Sequence, residues 1–184
     1  MMQEPIIPAK PMTRITVLQG EVRVSAGPRV ELSTVLGSCV ATCLFDPAAE
    51  VGGMNHFLLA EPPASRAGSG IDEHYGVFLM ELLINEMLSQ GARKERMRAH
   101  LYGGANLRQG MAQIGTANAD FARGFLNMER IPLAREDLGG TCARRVDFRP
   151  ASGRVRCRTI ENTLAPENQP AARPAPSTGD VELF

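Results

Sequence analysis

The amino-acid sequence predicts a single α+β domain, strand-rich, with two main helices on one face. Three observations lead there. Strand-like segments dominate the first third of the chain, only two later segments carry apolar residues at helical spacing, and strands and helices do not alternate strictly as a doubly wound sheet requires. At 184 residues, 43% of them hydrophobic, the chain can bury a core of its own.

The elements follow in order. "RITVLQGEVRVSA" alternates and turns at Gln19-Gly20, which predicts an early hairpin. "VELSTVL", "CVATCLFD" and "VGGMNHFLLA" are three further strands, and the turn at Asp46-Pro47 folds the second of these back onto the third. Residues 74–90 place Met80, Leu83, Ile84 and Met87 at helical spacing and end at Gly91, a C′ residue. "MRAHLYGG" reads as a strand. A second helix is predicted over about Asn118 to Arg130, with Phe121, Phe125 and Met128 on one face and Pro132 as its limit. "IPLARED", "ARRVDFRP" and "RVRCRTI" complete the set, divided by Gly139-Gly140 and Ser152-Gly153.

The ends differ from the middle. Residues 1–12 are Pro-rich, and the segment from about residue 161 to 184 is rich in Pro, Ala and polar residues that bury too little apolar area to offset ordering. Both read as flexible tails around a domain spanning 13–160. The terminal "VELF" is either a frayed end or an acidic-apolar docking peptide on a tether. The N-terminal stretch lacks the apolar run of a secretory signal, and no run is long enough to span a bilayer, so the chain reads as cytoplasmic. Its 20 basic and 20 acidic residues cancel, which excludes capture of nucleic acid or an anionic membrane by a global field and leaves only local patches.

Four cysteines, Cys39, Cys43, Cys142 and Cys157, show no C-x-x-C pairing, and they read as free thiols without a zinc site; no metal or cofactor is expected. Cys39 stands directly behind Gly37 and Ser38, where the backbone can be approached closely. It is either a small apolar residue at the start of a buried strand or a nucleophile. A nucleophilic thiol needs a proton acceptor, and His56 lies on the next strand, brought back by a hairpin turning near residues 46–50. Gly52 and Gly53 remove side chains where a substrate backbone would enter, and either Ser33 or Thr34 can orient the imidazole, since neighbouring strand residues face opposite ways. Taken alone, the pair is as compatible with a structural cysteine and a satisfied core histidine. Cys43 reads as a neighbouring structural thiol, and His74 and His100 as structural or exposed. "GGANLRQGMAQIGTAN" lacks the ending of a phosphate loop.

"LGSCVATCLFDP" followed by "GGMNHFLLAEP" resembles the signature of the CheD chemoreceptor glutamine deamidases. The resemblance continues through "HYGVFLMELLINEML", "LYGGANLRQGMAQIGTAN" and "REDLGGTCARRVDFRPASGRV", from about residue 13 to 160. It implies a three-layer α/β/β sandwich like that of the cytotoxic necrotizing factor toxins. It also implies hydrolysis of a protein glutamine side chain to glutamate with release of ammonia. The family's nucleophile falls on Cys39, as a thiolate paired with protonated His56, and its histidine on His56. The family's threonine falls on Ser33 by strict count, with Thr34 as the alternative. Gly37, Ser38, Gly103, Gly104 and Asn118 then shape the site or start a helix. The implied substrate is the cytoplasmic helical bundle of methyl-accepting chemotaxis receptors, and relatives also associate with a CheC-type phosphatase. A docking module without catalysis is the competing function class.

Overall fold

The computed structural model describes residues 11–59, 73–107 and 113–161. The predicted tails, the VELF tip and part of the glycine-rich loop lie outside the described residues. Nine strands and two α-helices are described: β1 (Thr13–Thr16), β2 (Val22–Ser25), β3 (Val30–Leu36), β4 (Val40–Asp46), β5 (Val51–Asn55), α1 (Glu73–Ser89), β6 (Arg98–Gly103), α2 (Ile114–Met128), β7 (Leu133–Leu138), β8 (Ala143–Arg149) and β9 (Arg154–Ile160). They form two sheets, sheet A in the order β1-β3-β8-β9 and sheet B in the order β2-β5-β4-β6-β7. Both helices pack on sheet B, α1 against β2, β5 and β4 and α2 against β4, β6 and β7. The layers are helices, sheet B, sheet A, which is the α/β/β sandwich expected.

Strand β4 explains why "CVATCLFD" reads as a continuous apolar run. It lies in the middle of the middle layer and is buried along its whole length. Alternation sends Val40 and Leu44 to the core under the helices and Ala41, Cys43 and Phe45 to the core between the sheets. The intersheet core is completed by Leu32 and Leu36 of β3, Met54 of β5, Tyr102 of β6 and Val146 and Phe148 of β8. Under the helices lie Leu79, Met80, Leu83 and Met87 of α1 and Ala122, Phe125 and Leu126 of α2.

The hairpin between β4 and β5 forms as expected, pairing Asp46 with Val51. Its turn is organised by Asp46, which accepts hydrogen bonds from the backbone N–H groups of Ala48 and Ala49 and from both Arg93 N–H and the Arg96 guanidinium. Burial pushes its pKa up, but Arg96 and these N–H donors outweigh it and hold the carboxyl at about 2.

Two expectations are corrected. A turn does form at Gln19-Gly20, closed by Glu21 N–H to the Leu18 carbonyl with Gly20 at φ 84°, but β1 and β2 do not pair with each other. β1 runs parallel to β3 in sheet A, while β2 runs antiparallel to β5 in sheet B. The connection between them is longer than a two-residue hairpin loop and buries Val17 completely between the sheets, so the strands diverge. The second helix begins at Ile114, ahead of Asn118, and its buried stripe runs through Ala119, Ala122, Phe125 and Leu126, leaving Met128 68% exposed. α1 ends as predicted: Gly91, at φ 95°, and Ala92 return N–H bonds to the carbonyls of Leu88 and Met87. Among the described residues no helix is long and apolar enough to cross a membrane.

Candidate active site

The mouth of the site lies where β4 begins. Cys39 directly precedes β4, and Val40 bridges Phe57 through reciprocal N–H to carbonyl bonds. That register puts His56 opposite Ala41 and makes Cys39 its diagonal neighbour on the same face of sheet B, the face turned toward sheet A. Such diagonals are separated by roughly 7–8 Å between Cα atoms, a gap that side chains close.

The segment holding Cys39 is fixed from behind. The carbonyls of Gly37 and Cys39 accept the N–H groups of Ala105 and Gly104 at 2.9 and 2.8 Å. Asn118 Nδ2 donates to the Ser38 carbonyl at 2.7 Å, while Asn118 Oδ1 accepts from Leu59 N–H at 2.9 Å. Asn118 is therefore inside α2, not at its start, and it ties the segment before Cys39 to the chain that follows His56. Gly103 shows why glycine is needed at the end of β6: at φ 106°, a Cβ there would lie 2.2 Å from the Cys39 carbonyl oxygen. Arg144, almost fully buried, binds the Gly103 carbonyl, the Cys142 carbonyl and Asp137. Sequence reasoning missed it.

His56 is 7% exposed. Its Nδ1 lies 2.9 Å from Thr34 Oγ1 and 3.4 Å from the Val17 carbonyl oxygen. The Thr34 hydroxyl donates its one hydrogen to that same carbonyl at 2.8 Å. Both neighbours of Nδ1 are then acceptors, so Nδ1 carries the ring proton and Nε2 holds the free lone pair. Nε2 is buried and has no hydrogen-bond partner among the described residues. An imidazole held in this tautomer, with an unpartnered basic nitrogen, is equipped as a proton acceptor.

Thr34, not Ser33, therefore meets His56. Thr34 lies between Leu32 and Leu36 on the face of β3 that looks into the intersheet core. Ser33 is on the outer face and donates to Asp147 Oδ1 at 2.7 Å. Gly52 and Gly53 do not open onto the thiol either. They pair with Phe45 and Leu44, roughly 16–20 Å along the strand from Cys39. The space over them is filled by the Pro150 carbonyl and by Leu83 and Val24. Gly37 is at the site, with the Leu107 side chain over it.

The thiol does not bond the imidazole in this conformation. Cys39 Sγ donates to Gln19 Oε1 at 3.5 Å. Gln19 sits on the turn between β1 and β2, and that turn is bolted to His56 on both sides, through Gly20 N–H to the His56 carbonyl at 2.7 Å and His56 N–H to the Glu21 carbonyl at 3.1 Å. Burial pushes the Cys39 pKa up, against a smaller pull from its own backbone N–H. Burial pushes the His56 pKa down, against the Val17 carbonyl. Both shifts favour the neutral thiol and neutral imidazole over the expected thiolate and imidazolium.

None of the remaining candidates bonds to Cys39 or His56 among the described residues. Cys43 is completely buried, and burial drives its pKa far upward. Cys142 and Cys157 are half-buried free thiols, and Cys157 donates to Asp137. His74 lies within α1, and His100 bonds the Gly153 carbonyl.

A family model described as "CheD chemotactic sensory transduction" matches residues 58–159, more than half of the chain. A protein of Zymomonas mobilis subsp. mobilis named "Probable chemoreceptor glutamine deamidase CheD" is 54% identical over 93% of this chain and 92% of that protein. Proteins of the same name from Caulobacter sp. (strain K31) and Acidiphilium cryptum are 47% and 46% identical, over 95% and 98% of this chain and 94% and 99% of theirs. Among solved structures, Neisseria meningitidis protein NMB0706 aligns at a TM-score of 0.44 and 11% identity, over 71% of this chain and 63% of that one. The chain belongs to the CheD family.

Proposed function

We propose that this protein is a protein-glutamine deamidase of chemotaxis receptors, with Cys39 as nucleophile, His56 as the acid and base, and Thr34 as the residue that fixes the His56 tautomer. The observation that carries the reading is the Nδ1–Thr34–Val17 network, which among the described residues leaves Nε2 without a partner on the sheet face that also carries Cys39. The names of the relatives supply the substrate: glutamine side chains of chemoreceptors.

The substrate carboxamide displaces Gln19 from the thiol. As Cys39 Sγ bonds to the carboxamide carbon, its proton passes to His56 Nε2, and negative charge gathers on the carboxamide oxygen, where the Cys39 N–H is a donor. The tetrahedral adduct collapses with cleavage of the C–N bond, His56 returning the proton to the departing nitrogen as ammonia leaves. Water then attacks the thioester, His56 takes its proton, and the C–S bond breaks to release glutamate and the free thiol. A neutral resting pair suits this sequence, because the imidazole must be unprotonated to accept the first proton.

The test is to incubate the protein with cytoplasmic fragments of methyl-accepting receptors and follow ammonia together with the peptide mass. Glutamine residues converted to glutamate, about 1 Da heavier, with ammonia in equal amount, are the expected outcome. Receptor fragments that bind but keep their glutamines, in a protein that still supports chemotaxis, would make it a docking module instead.

A further inference from the structure

The outer face of sheet A is covered by neither helix, and it carries a charge pattern that the neutral composition conceals. Alternation and register place Arg14 of β1, Glu31 and Ser33 of β3, Arg145, Asp147 and Arg149 of β8, and Arg154, Arg156 and Arg158 of β9 on this one face. Six arginines meet two carboxylates there, leaving four positive charges in excess in a chain whose net charge is zero. The carboxylates are taken: Glu31 by Arg14 at 2.6 Å and Arg149 at 3.8 Å, and Asp147 by Arg158 at 2.9 Å and Arg14 at 3.7 Å. Among the described residues Arg145, Arg154 and Arg156 make no ion pair.

The register makes this arrangement costly. Arg145 stands directly opposite Arg158, and Arg149 directly opposite Arg154, two like-charge pairs of the kind that destabilise a sheet. Folding does not require them, since an exposed strand face accepts threonine or a carboxylate as readily. A depression of about 180 Å³ opens among Arg14, Arg149, Arg154, Arg156 and Val155, with the already paired carboxylates Glu31 and Asp147 also in its lining. The guanidinium fork matches carboxylates bidentately, as Arg14 already does with Glu31 through Nε and Nη2.

We propose that this face is a docking surface for an acidic protein segment, whose carboxylates relieve the Arg145–Arg158 and Arg149–Arg154 repulsion and fill the depression. Among the described residues the strands of this face present no aromatic side chain on which a nucleic-acid base would stack, and Val35 is the one exposed large apolar residue in them, too little to anchor in a lipid surface. Thr34 and His56 lie on the other side of sheet A, so a partner held here leaves the candidate active site open to substrate.

The experiment pairs binding with stability, because the two move in opposite directions only if the arginines serve a partner. The probe is a fluorescent 16-residue glutamate-rich helical peptide, titrated at low and at elevated salt. Arg145→Gln/Arg154→Gln, which takes one arginine from each like-charge pair, is expected to weaken peptide binding by about tenfold or more while raising Tm, since cross-strand repulsion is relieved. Arg123→Gln/Arg130→Gln, which removes the same charge from α2 and the residue that follows its end, on the helical layer, should leave binding unchanged. A fall in Tm in the first variant, equal loss in the second, or tighter capture of phosphatidylglycerol vesicles or duplex DNA than of the peptide would overturn the proposal.

Discussion

Cys39 and Cys43 stand four residues apart on one face of the β4 segment, and each has a histidine on a neighbouring strand segment, His56 for the first and His100 for the second. Among the described residues each histidine has one ring nitrogen that is buried and unpartnered, Nε2 of His56 and Nδ1 of His100. By composition the two pairs are alike. Their surroundings separate them. Cys43 is sealed among Leu32, Met54 and Tyr102, and His100 is committed to the Gly153 carbonyl and stacked on Phe45 at 4.9 Å. Cys39 is half-exposed at the strand start, its backbone is pinned by Gly104 and Asn118, and its histidine is oriented by a hydroxyl that can only accept from Nδ1. The two pairs thus differ in access to solvent and in a fixed tautomer, and the proposed mechanism rests on both.

The sharpest way to break the comparison is to delete each thiol. Cys39→Ala should reduce ammonia release from receptor fragments by at least about 10³-fold with little change in Tm, since it removes the proposed nucleophile at the rim of the fold. Cys43→Ala should leave turnover within a few-fold and instead lower stability by about 1 kcal/mol through loss of packing in the intersheet core. Comparable turnover losses in both would mean that Cys39 acts structurally.

The next test uses the two hydroxyls of β3. Thr34→Val keeps the shape but removes the acceptor for Nδ1–H, and kcat should fall by roughly 10- to 100-fold as the tautomers mix. Ser33→Ala strands part of the buried Asp147 carboxylate and should cost about 1 kcal/mol of stability with kcat nearly unchanged. A pH series extends this: His56 titrates below its ordinary 6.5, so the rate should already be near its plateau at pH 7 and decline only in more acidic solution. The same depressed pKa, and that of His100, makes stability greatest above about pH 6.5 and lost as pH falls, because the unfolded chain takes up protons that the folded one refuses.

The smallest expected effect concerns Gln19. Its carboxamide, the same group as the proposed substrate, caps the thiol, so Gln19→Ala should speed alkylation of Cys39 by iodoacetamide a few-fold, on the order of one hydrogen bond. Cys43 should stay unlabelled in both proteins.

The legible part of the site was what strand alternation and a tight hairpin dictate. Asp46-Pro47 fixed the return of β5 onto β4, and with it the approach of His56 to Cys39. Thr34 was legible too, through Leu32 and Leu36 on its face, but counting back from the cysteine selects Ser33 and ignores that pattern. Gln19 was out of reach, because local alternation pairs β1 with β2 and gives no sign that the turn between them crosses from one sheet to the other. The start of α2 was hidden for a simpler reason: its N-cap is Gln113, whose side chain makes no capping bond, so no Ser, Thr, Asp or Asn marks the boundary. The arginine face was invisible in net charge and emerges only once the register of β8 and β9 is known.

The most direct measurement is to quench a reaction of the protein with a receptor cytoplasmic fragment in acid and map any covalent conjugate by mass. The account predicts a thioester joining the fragment's glutamine carbon to Cys39, lighter than the sum of the two chains by one ammonia and enriched when His56→Ala slows hydrolysis. A conjugate on Cys43, Cys142 or Cys157, or full deamidation by Cys39→Ala, would contradict it.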